Sequence, residues 1–174
     1  MFDSPEELLR RIRLGEDSTV EFKSARFSGK RVQAPTREDL ANELAAMANT
    51  ADAALILGVD DETREIDGIP VERLDDVERY VFEICNDAIR PPVSFRSQRM
   101  ELPDSSGTQR AILKIDIPRS MFVHEAPGGY FRRQGSSIRK LQPDMLARLF
   151  QQRSQARIIR FEEQFVPEAL LEDL

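Results

Sequence analysis

Leu40-Ala41-Asn42-Glu43-Leu44-Ala45-Ala46-Met47-Ala48-Asn49-Thr50-Ala51-Asp52-Ala53-Ala54-Leu55-Ile56-Leu57-Gly58-Val59-Asp60-Asp61 is the stretch that decides the fold. Leu40, Leu44 and Met47, with Ala41, Ala45 and Ala48, recur at helical spacing as far as Asn49-Thr50. Beyond that point Ala53 to Val59 is a continuous apolar run, too short to cross a bilayer and of the length of a strand covered on both faces. A helix that turns directly into a buried strand describes an α/β (α+β) fold in one domain. Asp60 and Asp61 stand at the carboxyl end of that strand, the end at which ligands collect in helix-covered sheets.

Upstream, Ser4-Pro5-Glu6-Glu7 starts a helix: Ser4 caps, Pro5 suits the first turn, and Glu7 can complete a capping box. Leu8, Leu9 and Ile12 form its apolar stripe and Gly15 ends it. In Glu16-Asp17-Ser18-Thr19-Val20-Glu21-Phe22-Lys23, Val20 and Phe22 alternate with Glu21 and Lys23, which predicts a half-buried strand with carboxylate and ammonium on its open face. Glu16 and Glu21 can meet at one edge if Glu16 lies in the turn. Ala25 to Pro35 has no clear period and is expected to be a loop; Thr36 caps the central helix.

Downstream, Asp60 to Thr63 reads as a turn and Ile66-Asp67-Gly68-Ile69-Pro70 as a short strand and exit. A helix follows from Leu74 to Ile89 with Val77, Val81, Ile84, Cys85 and Ala88 inward, closed by Pro91-Pro92. Val93 to Leu102 and Arg110 to Ile117 form a hairpin. Met121 to Ser137 is irregular and carries the only histidine, His124, then Tyr130-Phe131-Arg132-Arg133-Gln134-Gly135-Ser136-Ser137. Two aromatics, two arginines and a Gly-Ser-Ser turn offer stacking, phosphate pairing and hydrogen-bond donors together; the plainer alternative is an edge strand and a turn. Pro143 opens a last helix with Met145, Leu146, Leu149 and Phe150 inward.

With 40% hydrophobic and 32% charged residues in 174, the chain is globular and of one-domain size. The expected division is a domain over 1–152 and a helical tail over 153–174, the tail a candidate contact for a homo-oligomer. Cys85 is single and reads as a small core residue, and no Cys/His cluster exists for zinc. No basic n-region or long apolar stretch appears, so a protein of the cytoplasm without a membrane anchor is expected. The net charge of −6 hides an uneven distribution. Between Pro118 and Arg160 nine basic residues, among them Arg132, Arg133, Arg139 and Lys140, face only Glu125 and Asp144. That segment is either a solvated face or an anion-binding surface.

Taken in order, Glu16 with Val20-Glu21-Phe22-Lys23, Ala48-Asn49-Thr50, Gly58-Val59-Asp60-Asp61, Ile66-Asp67-Gly68, Pro91-Pro92 and Tyr130 to Ser137 resemble one family, the Schlafen AlbA_2 domain, also described as divergent AAA-type or DNA-binding. The resemblance covers roughly Glu16 to Leu149. It implies an α/β fold around a mixed sheet and a nucleic-acid partner, RNA or DNA. In animal Schlafen proteins such domains are metal-dependent endoribonucleases that use three acids. Glu16 and Glu21 match the first two and Asp61 the third, with Asp60 one register away. Oxygen-only ligation by these residues would favour Mg2+ or Mn2+. Lys23, Arg132, Arg133, Arg139 and Lys140 would then hold the phosphate backbone.

Two departures stand out: Asp52-Ala53 replaces a glycine pair after Ala-Asn-Thr, and Ile138 replaces a threonine after Gly-Ser-Ser. Many bacterial members of that family are regulators, and binding needs the basic segment but not the acidic triad, so the expected function is a regulatory nucleic-acid-binding domain. A carboxylate-triad endonuclease is the alternative, and a nucleotide-binding (ATP) or oligomerisation module is a further one. The ATP reading is weakened by the absence of Gly-x4-Gly-Lys-Ser/Thr.

Overall fold

The computed structural model describes residues 2–165, with side chains as far as Ile158. Helix α1 (Pro5–Leu14) starts where expected, the Ser4 hydroxyl accepting from the Glu7 amide at 3.2 Å. Strand β1 (Val20–Lys23) pairs in parallel with β4 (Ala53–Leu57), which pairs antiparallel with β6 (Gln109–Ile117), itself antiparallel to β5 (Arg96–Pro103). The sheet is mixed, in the order β1-β4-β6-β5.

Side-chain alternation along β4 sorts the core into two layers. Ala54 and Ile56 join Val20, Phe22, Leu8 and Ile12 on the α1 side. Ala53, Leu55 and Leu57 face the opposite layer, with Leu40, Leu44, Met47 and Val81. That second layer is supplied by α2 (Arg37–Thr50) and α3 (Leu74–Glu83). A strand covered on both sides has no solvated face, which is why Ala53 to Val59 reads as continuously apolar.

Several expectations are corrected. Residues 25–35 are not a loop: β2 (Arg26–Ser28) and β3 (Arg31–Ala34) form a small hairpin turning at Gly29 and Lys30, with Phe27 and Val32 packed on the α2 layer. A register shift between Arg26 and Phe27 breaks the alternation that would have revealed it. Residues 66–70 form no strand. Gly68 instead lies against Gly58, its amide donating to the Gly58 carbonyl at 2.9 Å, and a Cβ on Gly58 would meet Gly68 Cα at 3.2 Å. Both glycines have positive φ, +99° and +72°, so this close approach needs the two glycines. The third helix loosens into a π-helical turn over Ile84–Ala88 rather than continuing to Ile89.

The chain then forms a separate antiparallel leaf of β7 (Glu125–Ala126), β8 (Gly129–Gln134) and β9 (Ser137–Lys140), packed on α2. Helix α4 (Pro143–Phe165) follows. Leu149 is buried, but Met145 and Phe150, expected inward, are exposed, while Arg153 is 5% exposed. The expected tail begins inside α4, and its last residues, 166–174, with the proposed subunit contact, lie outside the described residues. No helix among the described residues is long and apolar enough to cross a membrane.

Candidate nucleic-acid interface

The leaf is held to the body by polar side chains of α2. Asn49, fully buried, donates through Nδ2 to the carbonyls of His124 (2.8 Å) and Phe131 (3.1 Å), and its Oδ1 accepts from the His124 amide (2.8 Å). Thr50 Oγ1 accepts from the Arg133 amide at 2.9 Å. A helix-end asparagine and threonine thus replace the ladder bonds that the leaf does not make with the main sheet. The Ala48-Asn49-Thr50 motif is this joint.

Arg133 crosses from the leaf into the body. Its Nη1 donates to Glu43 (2.7 Å), and its Nη2 donates to Glu21 (2.8 Å) and to the Asp17 carbonyl (2.7 Å). Glu21, expected on an open face, is 2% exposed, because β8 and α2 cover this side of β1. Its other oxygen is 2.6 Å from Lys23 Nζ, which in turn lies 3.5 Å from Asp61. Glu16 folds back to accept from the Phe22 amide at 2.8 Å. Burial, with a smaller push from the Glu21 charge, raises the Glu16 pKa above the usual carboxylate value. Burial, the largest single influence, pulls the Lys23 ammonium down, but its bond to Glu21 together with the charges of Glu21, Asp61 and Glu16 outweighs this and leaves its pKa raised.

Sequence reasoning missed Glu43. It lies on α2 beside Arg133, and burial followed by the Glu21 charge pushes its pKa up to about 7. Its only signal was position: one turn before Met47 on a helix otherwise apolar toward the core.

Glu16, Glu21, Lys23 and Asp61 therefore share one edge of the sheet, Asp61 reached through Lys23. Asp60 points into its own turn, accepting from the Thr63 amide at 2.8 Å and the Glu62 amide at 3.1 Å, and the Thr63 bonds hold its pKa down. As arranged, these acids do not fit a divalent ion. Both Glu21 oxygens are held by cations, and among the described residues no three His, Cys, Asp or Glu side chains are grouped to bind a metal.

Of the remaining basic residues, Arg132 and Arg139 lie on the other face of the leaf, whereas Lys140 stands opposite Phe131 on the face of Arg133. Arg132 and Arg139 are directly opposite in the β8–β9 register. Arg132, Arg133, Gln134, Arg139, Lys140 and Gln142 are among the residues lining a groove of about 370 Å³. Arg139 and Lys140 are exposed and Arg132 half-buried, and among the described residues none of the three pairs with a carboxylate. Like charges facing each other across a ladder are destabilising. A larger cavity, about 530 Å³ beside Asp3, Asp52, Phe95 and Asp116, holds none of the expected site residues.

Two other expectations are placed. Asp52, standing where the family usually has glycine, accepts from the Arg119 amide at 2.7 Å, so this turn is closed by a side chain. Cys85 is fully buried, and burial pushes its thiol up to about 12, as suits a core residue rather than a nucleophile.

No protein of curated function matches the chain. Among solved structures, it resembles the DIP2311 protein from Corynebacterium diphtheriae at 24% identity and a TM-score of 0.49, over 71% of this chain and 22% of that one. The chain thus spans about a fifth of that protein's length. The model of the family described as "Schlafen, AlbA_2" matches residues 16–142. With most of its length matched, and with the joint, the acidic edge and the arginine hairpin in the expected order, the chain belongs to the Schlafen AlbA_2 family.

Proposed function

We propose that this chain is a regulatory nucleic-acid-binding domain whose contact surface is the β8–β9 groove. The supporting observation is the Arg132–Arg139 cross-strand pair, with Lys140 at the rim of the same groove and no acid among the described residues to neutralise them. Anions that fit a row of guanidinium and ammonium groups are phosphates, and neutralising them releases counterions from the nucleic acid. Gln134 and Gln142 add uncharged donors that suit sugar or phosphate oxygens.

The test is binding of labelled RNA and DNA at rising salt by the parent, Arg139→Gln and Lys140→Gln. Each substitution is expected to flatten the dependence of log K on log salt by about 0.7 for a single strand. Affinity indifferent to salt would sink the reading.

The endonuclease alternative places Glu16, Glu21 and Asp61 in catalysis. Its support is the shared sheet edge; against it stands the engagement of Glu21 by Arg133 and Lys23. Cleavage of RNA or single-stranded DNA with Mg2+ or Mn2+ that disappears in Glu21→Gln and Asp61→Asn would establish it over the binding-only reading.

A further inference from the structure

Three arginines gather at the carboxyl end of α2. Arg153, from α4, donates Nη2 to the Asn49 carbonyl at 3.0 Å. A guanidinium there satisfies an orphan helix carbonyl and suits the negative end of the helix dipole. That bond uses one corner of the group; its Nε is buried and has no hydrogen-bond partner among the described residues. Arg132, next to the Phe131 carbonyl that Asn49 also binds, has a buried Nε without a partner in the same way. Arg119 is exposed on the connection after β6, which is held at this helix end by the Arg119 amide donating to Asp52 at 2.7 Å and the Ser120 amide donating to the Ala48 carbonyl at 3.0 Å. Arg119 and Arg132 are close enough that their charges, after burial itself, push the Arg153 pKa down.

None of the three pairs with a carboxylate among the described residues. Three positive charges around unused donors, one on a side chain only 5% exposed, repel one another and are quieted by an anion. Arg132 lines the hairpin groove as well, so this cluster continues the same surface.

We propose that Arg119, Arg132 and Arg153 form a seat for one phosphate group at the carboxyl end of α2, filled by a backbone phosphate of the nucleic acid lying in the β8–β9 groove. The assignment rests on the nucleic-acid reading for its ligand, and the chemistry it needs is shared with free phosphate. Arg153 is the floor of the seat, fixed by Asn49; Arg119 and Arg132 are its walls. His124 is the built-in reporter. It is the only histidine, is 1% exposed, donates Nδ1–H to the Pro91 carbonyl at 2.7 Å and stands within the field of Arg153.

The experiment measures full-chain binding to a labelled single-stranded RNA across a salt series, with Arg119→Gln and Arg153→Lys beside Arg139→Gln. The lysine variant keeps a charge to meet the Asn49 carbonyl, and its melting temperature checks that the fold is kept. The seat predicts about tenfold weaker binding for Arg119→Gln, with a salt slope shallower by about 0.7, and about tenfold weaker binding for Arg153→Lys with the slope unchanged, because the charge is kept and the fork of donors is lost. If both bind like the parent while Arg139→Gln is weakened, the seat is wrong and the groove stands. If the parent binds no RNA or DNA, the groove reading falls and inorganic phosphate decides the seat. An NMR shift of the His124 imidazole on adding phosphate, absent in Arg119→Gln, keeps the seat with free phosphate as its ligand. No shift overturns it.

Discussion

Arg132 and Arg133 are neighbours in β8 with opposite surroundings. Strand alternation sends one guanidinium toward the groove and the other through the leaf into the body. Arg133 ends with two carboxylates and a carbonyl and is 4% exposed; Arg132 ends beside two other arginines and no acid among the described residues. The difference teaches that an arginine pair in sequence can be one structural bolt and one ligand-seeking charge. This chain carries both in adjacent positions.

The largest effect is expected from removing the bolt. Arg133→Gln leaves Glu21 and Glu43 buried without their shared cation, at a cost of about 3–5 kcal/mol in denaturant unfolding. A loss below about 1 kcal/mol would erase the contrast with Arg132. Asn49→Ala strands the Phe131 and His124 carbonyls and the His124 amide, for a loss of about 2–4 kcal/mol by the same measurement.

Glu43 sharpens the comparison through pH. Its folded pKa of about 7 stands above the ordinary 4.5, so the folded state holds the proton more tightly than the unfolded chain. The resulting stability is complete below about pH 4.5 and is lost as pH rises through 7, an upper bound of about 3 kcal/mol. Glu43→Gln should keep a hydrogen bond to Arg133 and flatten that decline; thermal melts of both proteins between pH 5 and 8 check it. The smallest stability effect belongs to Arg132→Gln, within about 0.5 kcal/mol of the parent because it relieves a like-charge pair. Its effect should appear in nucleic-acid affinity instead.

The sequence showed the helix-strand unit from Leu40 to Leu57 because two-sided burial writes a continuous apolar run, and it showed α1 because Ser4, Pro5 and Gly15 are local signals. It set Glu16, Glu21 and Lys23 beside one strand because they are close in sequence, and it linked Asp61 to them only through the family resemblance. It could not show that Glu21 is buried: alternation says which side chains share a face, not what later covers it. The cover comes from Arg133, more than a hundred residues on, a partner with no local trace. Arg153 was hidden for the same reason, since an arginine in an arginine-rich helix gives no sign that it caps another helix. The β2–β3 hairpin was lost to its irregular register.

The leaf's attachment has a consequence for how the molecule opens. Because β7, β8 and β9 share no ladder bonds with the main sheet and are fastened through Asn49, Thr50, Arg133, the backbone bridge of Glu125 to Arg90 and the packing of Ala126 and Phe131, they are expected to open as a unit of their own. Amide hydrogens of β4 and β6, inside both core layers, should exchange only through global unfolding. Those of β8 and β9 should exchange through a cheaper excursion in which the leaf lifts while the body stays folded. A nucleic acid gripping the leaf and the α2 end together would close that route, so slowed exchange confined to β8 and β9 is the signature by which occupancy of this surface could be read.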